Sequence, residues 1–375
     1  MGGRTAGRKP EGDLAMRLGY FNMPLHPPGT DLAVSLAGDL EQIETLDALG
    51  FSEAWIGEHF TSEWENIPCP DLFIAQALGR TTQINLGTGV SCLPNHNPLM
   101  LAQRIGQLDQ MARGRFAWGV GSGGFPGDFE LFGIDTERLE QRALTREILD
   151  TVLALWDDPK PAEHIHDRWH FRVPEPQVDI GLSLHLRPYT RPHPPIAVAG
   201  VGPKSDMLTL AGERGWIPMS INIVPTKTLI AQWDTYSGAG ARVGRPADRA
   251  NWRICRDVFV GKTTAQAREA VIDGIIGRDW RDYFLPLLRK GRNMIAPKID
   301  PAMPDEAVTI EYLCDNLWIV GDVDEVTRKL CALYDDVGGF GTLLVIGHEG
   351  SPHDDWGQSM RLLAEEVAPR IPSVY

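Results

Sequence analysis

Apolar positions along the chain fall into two recurring patterns, short runs bounded by turn residues and longer stretches with three- and four-residue spacing. From Arg17 onward the two alternate, the signature of βα units laid over a parallel sheet. The run RLGYFNMPL (17–25) reads as a first strand. In LAVSLAGDLEQIETLDAL (32–49), Leu36, Leu40, Ile43, Leu46 and Leu49 share one helical face, and Gly50 stands where a C′ glycine stops a helix. Strands over 53–59, 84–93 and 115–121 follow, separated by helices over 71–81 and 98–113. Asp135 is read as the N-cap of a long helix reaching Trp156.

The stretch 158–195 holds eight prolines and five histidines without sustained periodicity and reads as an excursion over the mouth of the fold. Alternation resumes with strands over 195–202, 216–222 and 252–261 and helices over 205–214, 225–241 and 263–278. A second irregular region, 279–315, comes before the last pair. WIVG (318–321) has strand character, but GTLLVIGH (341–348) is the better eighth strand, because Asp322 caps the helix between them. A closing helix covers 357–368. Eight βα pairs in one chain predict an α/β fold, a (β/α)8 TIM barrel with loop insertions at its C-terminal face.

Composition narrows the function. A formal net charge of −14 argues against nucleic-acid and anionic-membrane partners. With 43% hydrophobic and 23% charged residues, the chain reads as an ordinary globular protein, without an apolar stretch of membrane-spanning length. Five scattered cysteines draw neither a disulfide framework nor a metal site, so a reducing, cytoplasmic address is expected. Residues 1–15 are glycine-rich and basic without an apolar core, and read as a disordered leader ahead of a single domain over 16–375, with Met16 a candidate older start.

Barrel enzymes carry their chemistry on the carboxyl ends of the strands. Those ends offer Asn22, Glu58 with His59, the segment Gly89–Cys92 with His96, Gly121-Ser122-Gly123, Gly200–Ser205, Ser220 with Asn222, and His348-Glu349. His59 is the sharpest of these, since an imidazole there can give or take a proton near neutral pH, although a core histidine bonded to a backbone carbonyl reads the same way. Gly119, Gly121 and Gly124 spell G-x-G-x-x-G, but Phe125-Pro126-Gly127 is expected not to open the helix that a pyrophosphate needs. Adjacent glycines there would still let a flat ligand approach the backbone. In VAGVGPKSD (198–206) the free amides of a helix start, the Ser205 hydroxyl and Lys204 would suit one phosphate monoester, with a plain Ser205 N-cap as the competing account. Glu58 and Glu349 are the only obvious carboxylate pair for a glycosidase, Ser91 lacks the surroundings of a nucleophile elbow, and no metal-ligand set appears.

Taken together, AWIGEHF (54–60), WENIPCPDLFIA (64–75), LPNHNPLMLAQRIGQLDQMARGRFAWGVGSG (93–123), VAGVGPKSDMLTLAGERGWIPMS (198–220) and NLWIVGDVDEVTRKL resemble the bacterial luciferase-like flavin monooxygenases, in the limonene and diketocamphane monooxygenase branch. The resemblance spans the chain from Met16 onward. It implies a barrel that binds reduced FMN, supplied by a separate NAD(P)H-flavin reductase, and a homodimer. It implies that His59 is the active-site histidine near the flavin ring, that Gly89 and Val90 form a cis peptide under that ring, and that Gly200, Val201, Gly202, Lys204 and Ser205 form the phosphate turn, with Gly121 and Ser122 also at the cofactor.

Ser122 stands where luciferase has a phosphate-binding arginine, so phosphate recognition falls to Ser205, Lys204 and backbone amides, and FAD stays open beside FMN. Gly121 replaces luciferase's reactive cysteine, so light emission is not implied. The expected reaction puts one atom of O2 into an apolar ketone or alkene through a flavin C4a-(hydro)peroxide in a dry pocket, walled by Trp55, Phe60, Trp64, Trp118 and Phe125. An F420-dependent dehydrogenase on the same fold and a non-catalytic flavin-binding protein are the alternatives. Specificity is expected in loops 60–70, 158–195 and 279–315.

Overall fold

The computed structural model describes residues 16–23 and 25–375; the expected leader over 1–15 lies outside the described residues. Eight parallel strands close on themselves: β1 (Arg17–Asn22), β2 (Glu53–Ile56), β3 (Asn85–Thr88), β4 (Phe116–Gly121), β5 (Ile196–Gly200), β6 (Ile217–Ser220), β7 (Arg253–Arg256) and β8 (Thr342–Ile346). Each pairs with its sequence neighbour, and β8 returns to β1 with Arg17 beside Thr342 and Phe21 beside Ile346. The sequence thus folds into the (β/α)8 barrel that its alternation predicts.

The barrel interior is packed by Phe21, Trp55, Ala197, Met219, Cys255, Leu344 and Ile346. At its amino end the buried pair Glu53 and Arg253 meets at 2.8 Å, and the Trp55 indole N–H donates to Glu53 at 2.9 Å. Charge is tolerated there because each group has a partner. A larger apolar layer separates the strands from the surrounding helices.

Those helices are α1 (Leu32–Ala48), α2 (Pro70–Leu78), α3 (Pro98–Ala112), α4 (Glu140–Asp157), α5 (Asp206–Arg214), α6 (Thr226–Arg242), α7 (Val323–Val337) and α8 (Asp355–Leu362). Their starts follow local chemistry. Asp31 accepts from the amides of Ala33 and Val34, Asn97 from Met100, and Asp322 from Glu325, the last as the sequence suggests. Among the described residues no helix is long and apolar enough to cross a membrane.

Four sequence expectations need correction. Asp135 caps only a turn, accepting from Glu137 and Arg138, because Leu139 at φ 56° separates that turn from α4. The run 252–261 is two strands: β7 ends at Arg256, and Val258–Val260 pairs with Ile319–Gly321 in a small parallel sheet outside the barrel. WIVG is therefore a strand, but not a barrel strand. The helix over 263–278 belongs to the same insertion and breaks at Gly274 into Thr264–Asp273 and Ile275–Asp279, while α7 beside α6 takes the barrel position. Finally, 158–195 is not wholly irregular, since Ala162–His166 and Trp169–Val173 form an antiparallel hairpin. Trp169, Phe171 and Val173 are its buried face, a period-two signal that the prolines around it obscure.

Candidate active site

A cavity of about 830 Å³ opens at the carboxyl ends of the strands. Its wall takes Phe21 and Met23 from the end of β1, Glu58, His59 and Thr61 to Glu65 from the loop after β2, and Gly89, Val90 and Cys92 from the loop after β3. Gly121 to Gly127 come from the loop after β4, Val201 from that after β5, and Asn222 from that after β6. Tyr283, Phe284, Leu287 and residues 290–293 reach in from the insertion between β7 and α7. The volume suits a cofactor-sized ligand with a small organic molecule beside it.

His59 sits in this wall between two carboxylates. Its Nε2 lies 3.2 Å from Glu65 Oε2, its Nδ1 lies 3.6 Å from Asp128 Oδ2, and the Phe125 ring covers it at a centroid distance of 3.8 Å. Burial alone would lower its pKa, but the charge of Glu65 and the contacts with Asp128 outweigh that and raise it to about 9. At neutral pH His59 is an imidazolium and a hydrogen-bond donor, a sharper role than the acid or base that its position alone suggests.

The two carboxylates are themselves held. Asp128 Oδ1 accepts from the Thr61 amide at 2.9 Å and the Thr61 hydroxyl at 2.6 Å, with the Phe60 amide at 3.2 Å. Burial would raise its pKa, and the contacts with His59 and Thr61 instead hold it below the usual carboxylate range. Asp128 lies in a short helix, Pro126–Leu131, which opens at the Phe125-Pro126-Gly127 step that the sequence reading takes as unable to start one. Proline at the first helical position loses no hydrogen bond, which is why the step works. Glu65 Oε1 accepts from the Tyr283 hydroxyl at 2.6 Å, and Ser62 Oγ lies 3.0 Å from the same hydroxyl. Glu65, Asp128 and Tyr283 carry no local motif, and only the fold brings them to His59.

The residues expected around a flavin divide. Gly89, Val90, Gly121, Ser122 and Val201 line the cavity, and the Gly89–Val90 peptide is cis. A Cβ on Gly121 would come within 2.6 Å of Val90 Cγ2, so the glycine lets these two loops close up into one flat wall. Ser122 Oγ lies 2.9 Å from the Thr145 hydroxyl of α4, which donates to the Gln141 carbonyl at 2.6 Å. Gly200, Gly202, Lys204 and Ser205 do not line the cavity: Gly200 packs against Leu208, and Ser205 Oγ accepts from the Leu208 amide as the N-cap of α5. Among the described residues no carboxylate pairs with the exposed Lys204.

Other expected groups serve elsewhere. Glu58 borders the cavity but is engaged by His96 at 2.9 Å and by the Cys92 amide. Glu349 pairs with Arg278 at 2.9 Å. Of the five aromatic wall candidates only Trp64 and Phe125 reach the cavity. Trp55 fills the barrel, Trp118 packs edge-on against Trp156 and donates to Ser91, and Phe60 meets Phe132. His164 and His166 stack on Phe171 and Trp169 in the hairpin. Among the described residues, no cluster of three or more His, Cys, Asp or Glu side chains is arranged to hold a metal ion.

Comparison with known proteins agrees with this geometry. Residues 16–339 match the family described as luciferase-like monooxygenase. The 4-hydroxyprotoasukamycin monooxygenase of Streptomyces nodosus subsp. asukaensis is 36% identical over 94% of this chain and 91% of its own. The limonene 1,2-monooxygenase of Rhodococcus erythropolis is 31% identical over 94% and 86%. Among solved structures, the oxygenating constituent of 3,6-diketocamphane monooxygenase from Pseudomonas putida, a type II Baeyer–Villiger monooxygenase in complex with FMN, superposes with a TM-score of 0.87 at 32% identity, over 96% of this chain and 99% of that one. From the barrel, the cavity and these likenesses together it follows that the chain belongs to the luciferase-like monooxygenase family.

Proposed function

We propose that the protein is the oxygenase component of a two-component, FMN-dependent monooxygenase that oxidises an apolar ketone or alkene. The observation that carries this reading is the cavity itself, an apolar chamber with one flat glycine-lined wall and one imidazolium, His59, facing the space in front of it. FMN fits the residues present. Gly89, Val90 and Gly121 offer a surface for a planar ring, while Ser122, Val201 and the amino end of α5 supply hydroxyl and amide donors for one phosphate. Lys204, one residue before the N-cap of α5, adds the charge that an arginine supplies in luciferase.

Reduced FMN, when bound, supplies the electrons that let one atom of O2 enter the substrate while the other leaves as water. His59 donates a hydrogen bond to the oxygen on which negative charge develops, and Glu65 and Asp128 keep it protonated for that task. Phe21, Met23, Trp64, Phe284 and Leu287 exclude water from the reacting space. A separate NAD(P)H-flavin reductase delivers the reduced cofactor. Exposed Leu72, Met100 and Met111 on the packed pair α2 and α3 support a homodimer, which light scattering on the purified chain tests.

The function is tested by mixing the anaerobic protein and reduced FMN with oxygenated buffer in a stopped-flow spectrometer, alone and with bicyclic ketones or terpene alkenes. A transient absorbing unlike oxidised flavin, followed by an oxygenated product, is the expected result. Oxidation of FMN at its free rate, or hydride transfer from reduced F420 without O2 consumption, overturns the reading.

A further inference from the structure

His59 Nε2 lies 3.2 Å from Glu65 Oε2, and Glu65 is 1% exposed. The other oxygen of that carboxylate takes the Tyr283 hydroxyl at 2.6 Å. Ser62, three residues before Glu65, closes the arrangement: its Oγ accepts from the Glu65 amide at 3.0 Å and lies 3.0 Å from Tyr283. Trp64 stacks on the Tyr283 ring at 5.4 Å between centroids. The loop after β2 and the 275–290 segment of the insertion are therefore joined at one buried carboxylate, and that carboxylate touches His59.

We propose that Glu65 is a positioning residue that fixes the orientation and charge of His59, and that the Tyr283 hydroxyl makes this setting depend on the docking of segment 275–290 over the cavity. Its activity consequences rest on the monooxygenase reading, but its physical content does not.

The charged groups facing His59 are few. Glu65 comes from its own loop and Asp128 from the short helix at Pro126–Leu131; Glu58, its chain neighbour, is occupied by His96. Tyr283 is the titratable group from the insertion, and burial together with Glu65 pushes its hydroxyl far above the usual range, so it stays a donor. A neutral amide at position 65 keeps an acceptor for Tyr283 while removing the charge on His59. A phenylalanine at 283 keeps the charge and removes the link. The two substitutions thus separate charge from tether.

The test uses the full chain without flavin or substrate. Histidine side chains labelled with 15N are titrated by NMR, the His59 signal being assigned by its loss in His59→Gln, and backbone hydrogen exchange is followed by mass spectrometry. Glu65→Gln is expected to lower the proton affinity of His59 tenfold or more. Tyr283→Phe is expected to leave that affinity within about threefold and to speed exchange of both 59–66 and 275–290 by tenfold or more. If Glu65→Gln leaves the His59 titration in place while its melting temperature stays near the parent's, Glu65 only packs the loop and the proposal fails. If Tyr283→Phe loosens 275–290 but not 59–66, the tether fails. Neither arm consumes O2 or flavin, so failure here and failure of the proposed activity are distinguishable.

Discussion

His59 and His348 make an instructive pair. His348 is buried and His59 mostly so, each lies between two carboxylates, and each has a pKa pushed up to about 9 against the effect of burial. Their surroundings differ. His348 bonds Asp257 at 2.9 Å and Asp279 at 2.8 Å; Asp257 also accepts from Asn222 and Trp280, and Asp279 from Arg278. These bonds tie β7, the loop after β8 and the insertion together, and His348 does not line the large cavity. His59 has one carboxylate at 3.2 Å, another at 3.6 Å, and open space beside it. A perturbed pKa therefore marks a strong local field and not a function, and access to the cavity is what separates the two.

The contrast can be broken or sharpened experimentally. The largest effect is expected from His348→Ala, which strands two buried carboxylates; losing one partner of such a set costs about 3–5 kcal/mol, so calorimetry at neutral pH should show Tm falling by about 5 °C. His59→Ala should lower Tm by less than half as much, because Glu65 keeps Tyr283 and Asp128 keeps Thr61. Equal losses in the two variants would erase the distinction. On the reaction the order reverses, and His59→Ala should cut product formed per reduced FMN by about a hundredfold, the low end of what a positioned proton donor contributes.

Gly121→Val comes next, since its Cβ displaces Val90 from the cavity wall; FMN affinity by fluorescence titration should weaken about tenfold while Tm holds. The smallest effect is a pH dependence. Both histidines have raised pKa values in the folded state, so their stabilisation is complete below an unfolded pKa of about 6.5 and is lost as pH climbs through about 9. Tm should therefore drop a few degrees between about pH 7 and pH 10, and His348→Gln should flatten that slope.

Much of this architecture could be read from residue order. The period switch between strand and helix placed seven of the eight barrel strands over their observed positions, and Asp322 ahead of α7 pointed to 341–348 as the last strand. The seventh is overextended because Arg256 and Asp257, between Ile254-Cys255 and Val258–Val260, look like an ordinary polar step, yet both are buried and Arg256 ends the barrel strand. His59 was legible because strand ends carry function in barrels. Glu65, Asp128 and Tyr283 were not, since each is a lone polar residue in a loop or short helix and their relation spans more than two hundred positions. Trp55 and Trp118 misled for a related reason: alternation along a strand says which faces are buried, but not which burial borders a cavity.

The insertion that supplies Tyr283 leaves and rejoins the barrel through a three-residue ladder, Val258–Val260 against Ile319–Gly321, with strands about 5 Å apart. Everything between hangs from that clasp without sharing a hydrogen-bond register with the eight strands. A chimera carrying a relative's version of 261–318 changes one wall of the chamber, Phe284 and Leu287 included, and also replaces Asp279 and Trp280, the partners of His348 and Asp257 at the barrel. Two contacts set the conditions for such a graft, because the incoming segment must bring a hydroxyl to Glu65 and a carboxylate to His348.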